Sequence, residues 1–204
     1  MESEHAKNGT GKREMDDVLQ ICRLSAEGDE KARRQLMEML YERIHRTASY
    51  VSANLEDAKD IAQVACVEVL LSAGSYRGEA SLQYWADRVT IQTAAKMFTK
   101  RKRRQNLREK FLQPSAQPMA TDEQIERSVV RNRLTEYLHE MKHKQREAVV
   151  LRYIHGYTNQ QVADLCGIPL ETARARLKKG RAELKKRVLK DPLLAAWVKE
   201  WGEQ

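Results

Sequence analysis

Apolar positions recur along this chain at three- and four-residue intervals, and alternating β-branched runs are absent, so the elements it predicts are helices. Val18, Leu19, Cys22 and Leu24 form a stripe on a helix predicted over 16–27, which Gly28-Asp29 stops. Leu36, Leu40, Ile44 and Ala48 follow at four-residue spacing in a second helix predicted over 30–53. In a third, over 55–71, Ile61, Val64, Ala65 and Val69 face inward. The polar stretch SAGSYRGEAS, residues 72–81, reads as a loop, and a fourth helix runs from Leu82 past Lys100. These four helices are expected to share one core. Residues 1–14 are polar and read as a disordered tail.

The periodicity then breaks. Pro114 and Pro118 stand in a Pro/Ser/Gln stretch that no regular helix can cross, so residues 106–122 read as a flexible linker. Helices are predicted over 123–140 and 144–154, followed by a short helix, TNQQVADLC, that Gly167 stops and a further helix restarting within three residues at Pro169. Thr158 and Gln161 match a capping box at the start of the short helix. This spacing is that of a helix-turn-helix, with the second helix free to lie in a DNA groove. The fold class is therefore all-α: two small helical domains joined by a flexible linker, 15–105 and 123–190, the C-terminal one a helix-turn-helix. A last segment, 191–204, carries Leu193, Leu194, Trp197, Val198 and Trp201 on one side of a candidate amphipathic helix.

Charge sharpens this picture. The net charge is +8, yet residues 15–60 hold seven bases against ten acids, while 101–113 hold six bases against one acid and 171–190 nine against two. Two basic blocks separated by neutral or acidic helices suggest two separate contacts with a polyanion. No run of about 18 apolar residues is present, so no membrane span is expected. The polar, mixed-charge start is unlike a secretory signal, and a cytoplasmic protein is expected. Cys22, Cys66 and Cys166 are far apart among apolar residues and read as buried free thiols. The five histidines form no ligand spacing, and no phosphate loop or nucleophile motif is present, so neither an enzyme nor a metal or other cofactor is indicated.

On the second helix of the pair, steps of about 100° per residue place Ala173, Leu177, Leu184 and Val188 on one buried stripe. Glu171, Ala175, Lys178 and Ala182 then face away, with Thr172, Arg174, Arg176 and Lys179 on the flanks. Such a helix reads bases from its N-terminal turns. Glu171 suits a cytosine amino group, and Arg174 or Lys178 a guanine edge. Thr172 suits a base or a phosphate, while Lys179, Arg181, Lys185 and Lys186 suit phosphates. Two readings stand for Glu171, a base contact or a favourable acid at a helix N-terminus. Two likewise stand for Arg176 and Arg187, phosphate contact or plain solvated surface.

Both halves together resemble the extracytoplasmic-function sigma factors, the smallest members of the bacterial sigma-70 family. REAVVLRYIHGYTNQQVADLCGIPLETARARLKKGRAEL resembles the family's fourth conserved region, and LEDAKDIAQVACVEVL the second-region helix that docks on the polymerase clamp. SYRGEASLQYWADRVTIQTAAKMFTKRKRR resembles the loop and helix that engage the promoter minus-ten element. The resemblance implies an initiation factor without catalytic chemistry, whose partners are core RNA polymerase, promoter DNA and an anti-sigma factor. It implies clamp docking by Asp57, Asp60 and Gln63, supported by Ala58, Ile61 and Ala62. Lys59 and Val64 depart from acids common in the family. It implies capture of a flipped base by Ser75, Tyr76, Arg77, Gly78 and Glu79, with Tyr76 as a stacking surface. Arg88, Gln92 and Lys96 would follow the minus-ten DNA, with Gln92 standing where the family often has Asn, and Lys100, Arg101, Arg103 and Arg104 would meet phosphates. Trp85 is expected mainly in the core. In the fourth region, the minus-thirty-five element would be read by Glu171, Thr172, Arg174, Ala175, Arg176, Lys178, Lys179 and Arg181. The apolar tail at Trp197 and Trp201 either packs on its own domain or joins an anti-sigma contact. The main rival is a DNA-binding regulator independent of polymerase, but the regular sensory domain such a protein needs is not suggested by the first half.

Overall fold

The computed structural model describes residues 3–107, 125–192 and 194–195, with side chains described over 15–101, 132–192 and 194–195. Most of the segment read as a linker, and the tryptophans of the terminal segment, lie outside the described residues. Every regular element among the described residues is helical. Four helices make the first half: α1 (Ser3–Glu27), α2 (Glu30–Val51), α3 (Leu55–Ser72) and α4 (Leu82–Leu107), with a single 3₁₀ turn at Ala73–Ser75 after α3. The second half holds α5 (Ile125–Glu140), α6 (His143–Val149), α7 (Asn159–Cys166) and α8 (Leu170–Val188). Contrary to the expected disordered tail over 1–14, α1 begins at Ser3.

Local chemistry sets most boundaries. The Asp29 carboxylate accepts from the Ala32 N–H at 2.7 Å and starts α2, and the Asn54 side chain accepts from the Asp57 N–H at 2.8 Å and starts α3. Glu56 and Asp57 in the first turn of α3 favour the helix dipole. At α7 both arms of the capping box are made, between Thr158 and Gln161. Its other end closes through Gly167, whose φ of 62° is left-handed, while the Ile168 N–H reaches back to the Ala163 carbonyl at 3.0 Å. The helix predicted over 144–154 differs from expectation: after Val149 it widens into a π turn at Val150–Ile154, with the His155 N–H bonded to the Val150 carbonyl at 3.1 Å. That extra residue re-aims His155 and Tyr157 towards the first half.

The central element is α2. Leu36, Leu40, Ile44, Ala48 and Val51 are fully buried on it, packed with Ile61, Ala65 and Val69 of α3 and Ala86, Ile91 and Ala94 of α4. The same apolar cluster continues into the second half through Leu138, Met141, Val149, Leu151, Val162 and Leu177. The two halves are therefore packed on one another, α2 against α5 and α6 and α4 against α7, where the sequence suggested separate cores. On α8, Ala173 and Leu177 are buried as expected, but Leu184 and Val188 are only half-buried, and Gly180 completes the inward face. A Cβ on Gly180 would lie 2.6 Å from Val149 Cγ2 and 3.2 Å from the Gln145 carbonyl oxygen, so α8 and α6 meet closely enough there to require glycine.

Candidate nucleic-acid interface

Helix α8 presents a face with no packing duty. Glu171, Thr172, Arg174, Ala175, Lys178, Lys179, Arg181 and Ala182 are all exposed, which follows from the buried stripe on the other side. Within this face Glu171 and Arg174 form an i, i+3 ion pair, so a base contact by either breaks or shares that pair. Arg176 is half-buried and lies near Glu147, whose carboxyl is pushed up to about 7 by burial, partly offset by Arg176, Arg146 and Lys144. Arg187 is paired with Glu140 and Glu183 and ties the end of α8 to α5. Arg146 is buried beneath: its guanidinium donates to the Leu138 and His139 carbonyls at 3.2 and 2.9 Å, capping α5, and burial holds its pKa down at about 10.

The first half offers a second cationic surface. Arg88, Gln92, Lys96 and Lys100 are exposed and follow one another at four-residue spacing along α4, forming one stripe. Arg101 is also exposed but is paired with Asp57. Arg103 and Arg104 lie in the last turns of α4, and their side chains fall outside the described residues. In the preceding loop Ser75, Arg77 and Glu79 are exposed. Tyr76 is placed differently from the expected stacking role: it is 6% exposed, its hydroxyl donates to the Ala80 carbonyl at 2.9 Å, and its ring sits 5.6 Å from that of half-buried Trp85. The apolar ring is worth more in the core than in water, so Tyr76 shapes the loop from below. Gly78, at φ 74°, a backbone conformation L side chains rarely adopt, rests on Met15 and Leu19 of α1, where a Cβ would lie 3.2 Å from the Met15 sulfur.

On α3, Asp60 and Gln63 are exposed, whereas Asp57 is partly engaged by the Asn54 amide at 3.0 Å and by Arg101. Val64, Val67 and Leu71, which are 41%, 51% and 76% exposed, continue the face of Asp57 and Asp60 towards the helix C-terminus. Val64, expected to face inward with Ile61 and Ala65, therefore lies outside; the even spread of apolar residues round α3 is the signal in the sequence that permits this.

Between the halves lies a polar cluster that the sequence pattern does not announce. Asp87 of α4 is wholly buried; its carboxylate accepts from Arg43 Nε at 3.1 Å, Thr47 Oγ1 at 2.9 Å and the Tyr157 hydroxyl at 2.6 Å. The Arg43 guanidinium also donates to Tyr157 at 3.0 Å, and Thr47 lies 3.1 Å from His155 Nε2. Burial, followed by the bond to Asp87, pushes the Tyr157 phenol well above its ordinary range, and burial pushes His155 down to about 4. Its one sequence signal is an acid in the middle of an otherwise core-facing run of α4.

No group of potential metal ligands occurs among the described residues, and none of their helices is long and apolar enough to cross a membrane. Residues 36–104 match the family model described as sigma-70 region 2, and residues 131–184 match sigma-70, region 4. The chain is 27% identical over 176 residues to the ECF RNA polymerase sigma factor SigM of Mycobacterium tuberculosis, covering 86% of this chain and 87% of that one. It is 24% identical over 163 residues to the RNA polymerase sigma factor YlaC of Bacillus subtilis, covering 76% and 87%. Among solved structures, the sigma factor RpoE bound to the anti-sigma factor NepR from Bartonella quintana superposes with a TM-score of 0.63 at 19% identity, covering 78% of this chain and 97% of that one. CnrH in complex with the cytosolic domain of CnrY gives 0.54 at 17%, covering 85% and 97%. With both conserved regions present in the family's order, one carrying the α4 stripe and the other the exposed face of α8, the chain belongs to the sigma-70 family as an extracytoplasmic-function sigma factor.

Proposed function

We propose that the chain directs core RNA polymerase to its promoters by a division of labour between the two halves. The α8 face reads the minus-thirty-five element, with Arg174 and Lys178 on base edges and Lys179 and Arg181 on phosphates. The α4 stripe follows the minus-ten DNA, while Arg77 and Glu79, held in shape by buried Tyr76, border the place where a base leaves the stack. Asp57, Asp60 and Gln63 meet basic groups of the polymerase clamp, and Asp57 exchanges Arg101 for that partner on docking. The chain works in the cytoplasm and performs no chemistry of its own; nucleotide addition belongs to polymerase. A structural neighbour was solved with an anti-sigma factor bound, and a similar restraining protein is the third partner proposed here.

The observation that carries this reading is the pair of exposed cationic faces on the two sigma-70 regions of one chain. Purified chain mixed with core polymerase should co-elute with it and confer promoter-specific transcription on a genomic template. Core polymerase that neither co-elutes nor gains specificity would sink the reading.

A further inference from the structure

Beneath the helix-turn-helix lies a buried carboxylate that neither cationic surface uses. Glu147 of α6 is 4% exposed, and the three helices packed together there, α6, α7 and α8, each bring a group to it. On its own helix His143 stands one turn away, with Nε2 3.9 Å from the carboxylate, and the charges of Lys144 and Arg146 lie beside it. From α7 the Cys166 thiol donates to it, and from α8 comes the positive charge of half-buried Arg176. One turn after Arg176, Gly180 seats α8 against α6, where a Cβ would lie 2.6 Å from Val149 Cγ2. The backbone of α8 is therefore fixed over this cluster while the Arg176 side chain is not.

A carboxylate in such a place is costly unless its charge is offset. The cations around it differ in their freedom to leave. Arg146 is buried and donates to the Leu138 and His139 carbonyls. Arg176 stands between Arg174 and Lys178 on the flank of the exposed face of α8. A phosphate laid along that flank competes with Glu147 for the guanidinium. Of Glu147, His143 and Cys166, Glu147 is the one that changes charge near neutrality. Burial pushes its carboxyl up to about 7 and the Cys166 thiol up to about 12, while burial, then Arg146, Arg176 and Lys144, hold His143 down at about 4.

We propose that Glu147 is a positioning residue for the recognition helix: its carboxylate holds Arg176 back from DNA, and a proton taken up there releases Arg176 to a phosphate of the upstream element. The proposal rests on the reading of α8 as the helix that meets the minus-thirty-five element. Binding is then linked to protonation. Loss of Arg176 to DNA removes an attraction that favours the ionised carboxylate, so the bound chain keeps its proton to higher pH than the free chain. Affinity is full below the free value and falls as pH rises through about 7.

The test uses the full chain in complex with core RNA polymerase, titrated against a duplex carrying its preferred upstream element from pH 6 to pH 8.5 at fixed salt. Circular dichroism establishes that each variant is helical. Wild-type affinity should fall about three- to ten-fold from pH 6 to pH 8.5. Glu147→Gln, neutral at every pH, should bind at the wild-type acid level throughout, and Arg176→Gln should stay at the alkaline level or below. A residue that merely supported the fold would lower affinity at every pH when replaced. A folded Glu147→Gln complex with the wild-type pH dependence, or one weaker than wild type at pH 8.5, would overturn the proposal. The free chain gives a second measurement that needs neither DNA nor the Glu147 variant. There the Glu147 carboxyl, followed by carbon NMR, should titrate near neutrality and move to higher pH in Arg176→Gln. A titration that Arg176→Gln leaves unmoved overturns the coupling. A titration that moves, in a chain whose polymerase complex binds no upstream element at any pH, supports the coupling and overturns the promoter reading, so the two failures are told apart.

Discussion

The two surfaces proposed to face DNA are built on different terms. The face of α8 is carried by side chains with no packing duty: the helix is held from behind by Ala173, Leu177 and Gly180, and Lys178, Lys179 and Arg181 are exposed on its other side. The surface proposed to meet the minus-ten element is woven into the fold at its base. Tyr76 belongs to the core, Gly78 sits on α1, and Asp57 and Arg101 hold one another between α3 and α4. The first arrangement lets specificity change without touching stability, whereas in the second a change at Tyr76, Gly78 or the Asp57–Arg101 pair is felt by the packing beneath.

The largest effect should come where the loop before α4 meets that core. Tyr76→Ala removes a buried ring and is expected to cost about 3 kcal/mol or more of unfolding free energy in urea titration. Arg174→Ala on α8 should stay within about 0.5 kcal/mol of wild type. Equal costs would break the contrast. Next, Gly180→Ala should cost about 1–3 kcal/mol, because its Cβ meets Val149 on the facing helix; like Ala173 and Leu177, it lies on the buried side of α8.

Acidification probes the contact between the halves. His143 and His155 are held down at about 4, by burial first and then, for His143, by Arg146, Arg176 and Lys144. For His155, Arg43 and Arg46 also lower it while Asp87 opposes them. Above about 6.5 both are neutral folded or unfolded; as pH falls from there towards 4 the unfolded chain takes up protons that the folded one refuses, and stability is lost. Glu147 acts the other way. Its folded value of about 7 exceeds the ordinary 4.5, so its contribution is full below 4.5 and lost as pH rises through 7. Two histidines outweigh one carboxyl, and His139 is lowered as well. The melting temperature should therefore fall between pH 7 and pH 5, and His155→Gln should flatten that fall. A melting temperature that rises on acidification would show Glu147 to dominate.

The smallest effects sharpen the division within α8. Arg174→Ala or Lys178→Ala should cost about 1–3 kcal/mol on the preferred upstream element and little on mismatched DNA, read by competition binding of the polymerase complex. Lys185→Ala should weaken all sequences alike and lower the salt slope by about one ion. Uniform losses from all three would remove the base-reading assignment.

Much of the fold was legible in the chain because helix ends are local chemistry. Thr158 with Gln161, Gly167 with Pro169, and Asp29 before Glu30 mark boundaries without reference to distant residues, and the exposed face of α8 follows from helical arithmetic once its stripe is known. The candidate site was legible to the degree that its residues stand free of the core. Tyr76 was misplaced because an aromatic in a polar loop suits a stacking role and a core role equally, and its partner Trp85 only decides the matter in three dimensions. Gly180 reads in sequence as a weak helical position and becomes required only where α6 crosses.

What the sequence determined by itself, then, is a set of capped amphipathic helices, a helix-turn-helix and the identity of two conserved regions, since each depends on residues a few positions apart. What the tertiary structure decided is how those regions meet. Asp87 and Tyr157 are 70 residues apart in the chain, and a carboxylate's worth at such a place is set by donors that only packing delivers. Burial makes Asp87 costly alone and strongly held when Arg43, Thr47 and Tyr157 converge on it, and no periodicity in the chain encodes that convergence.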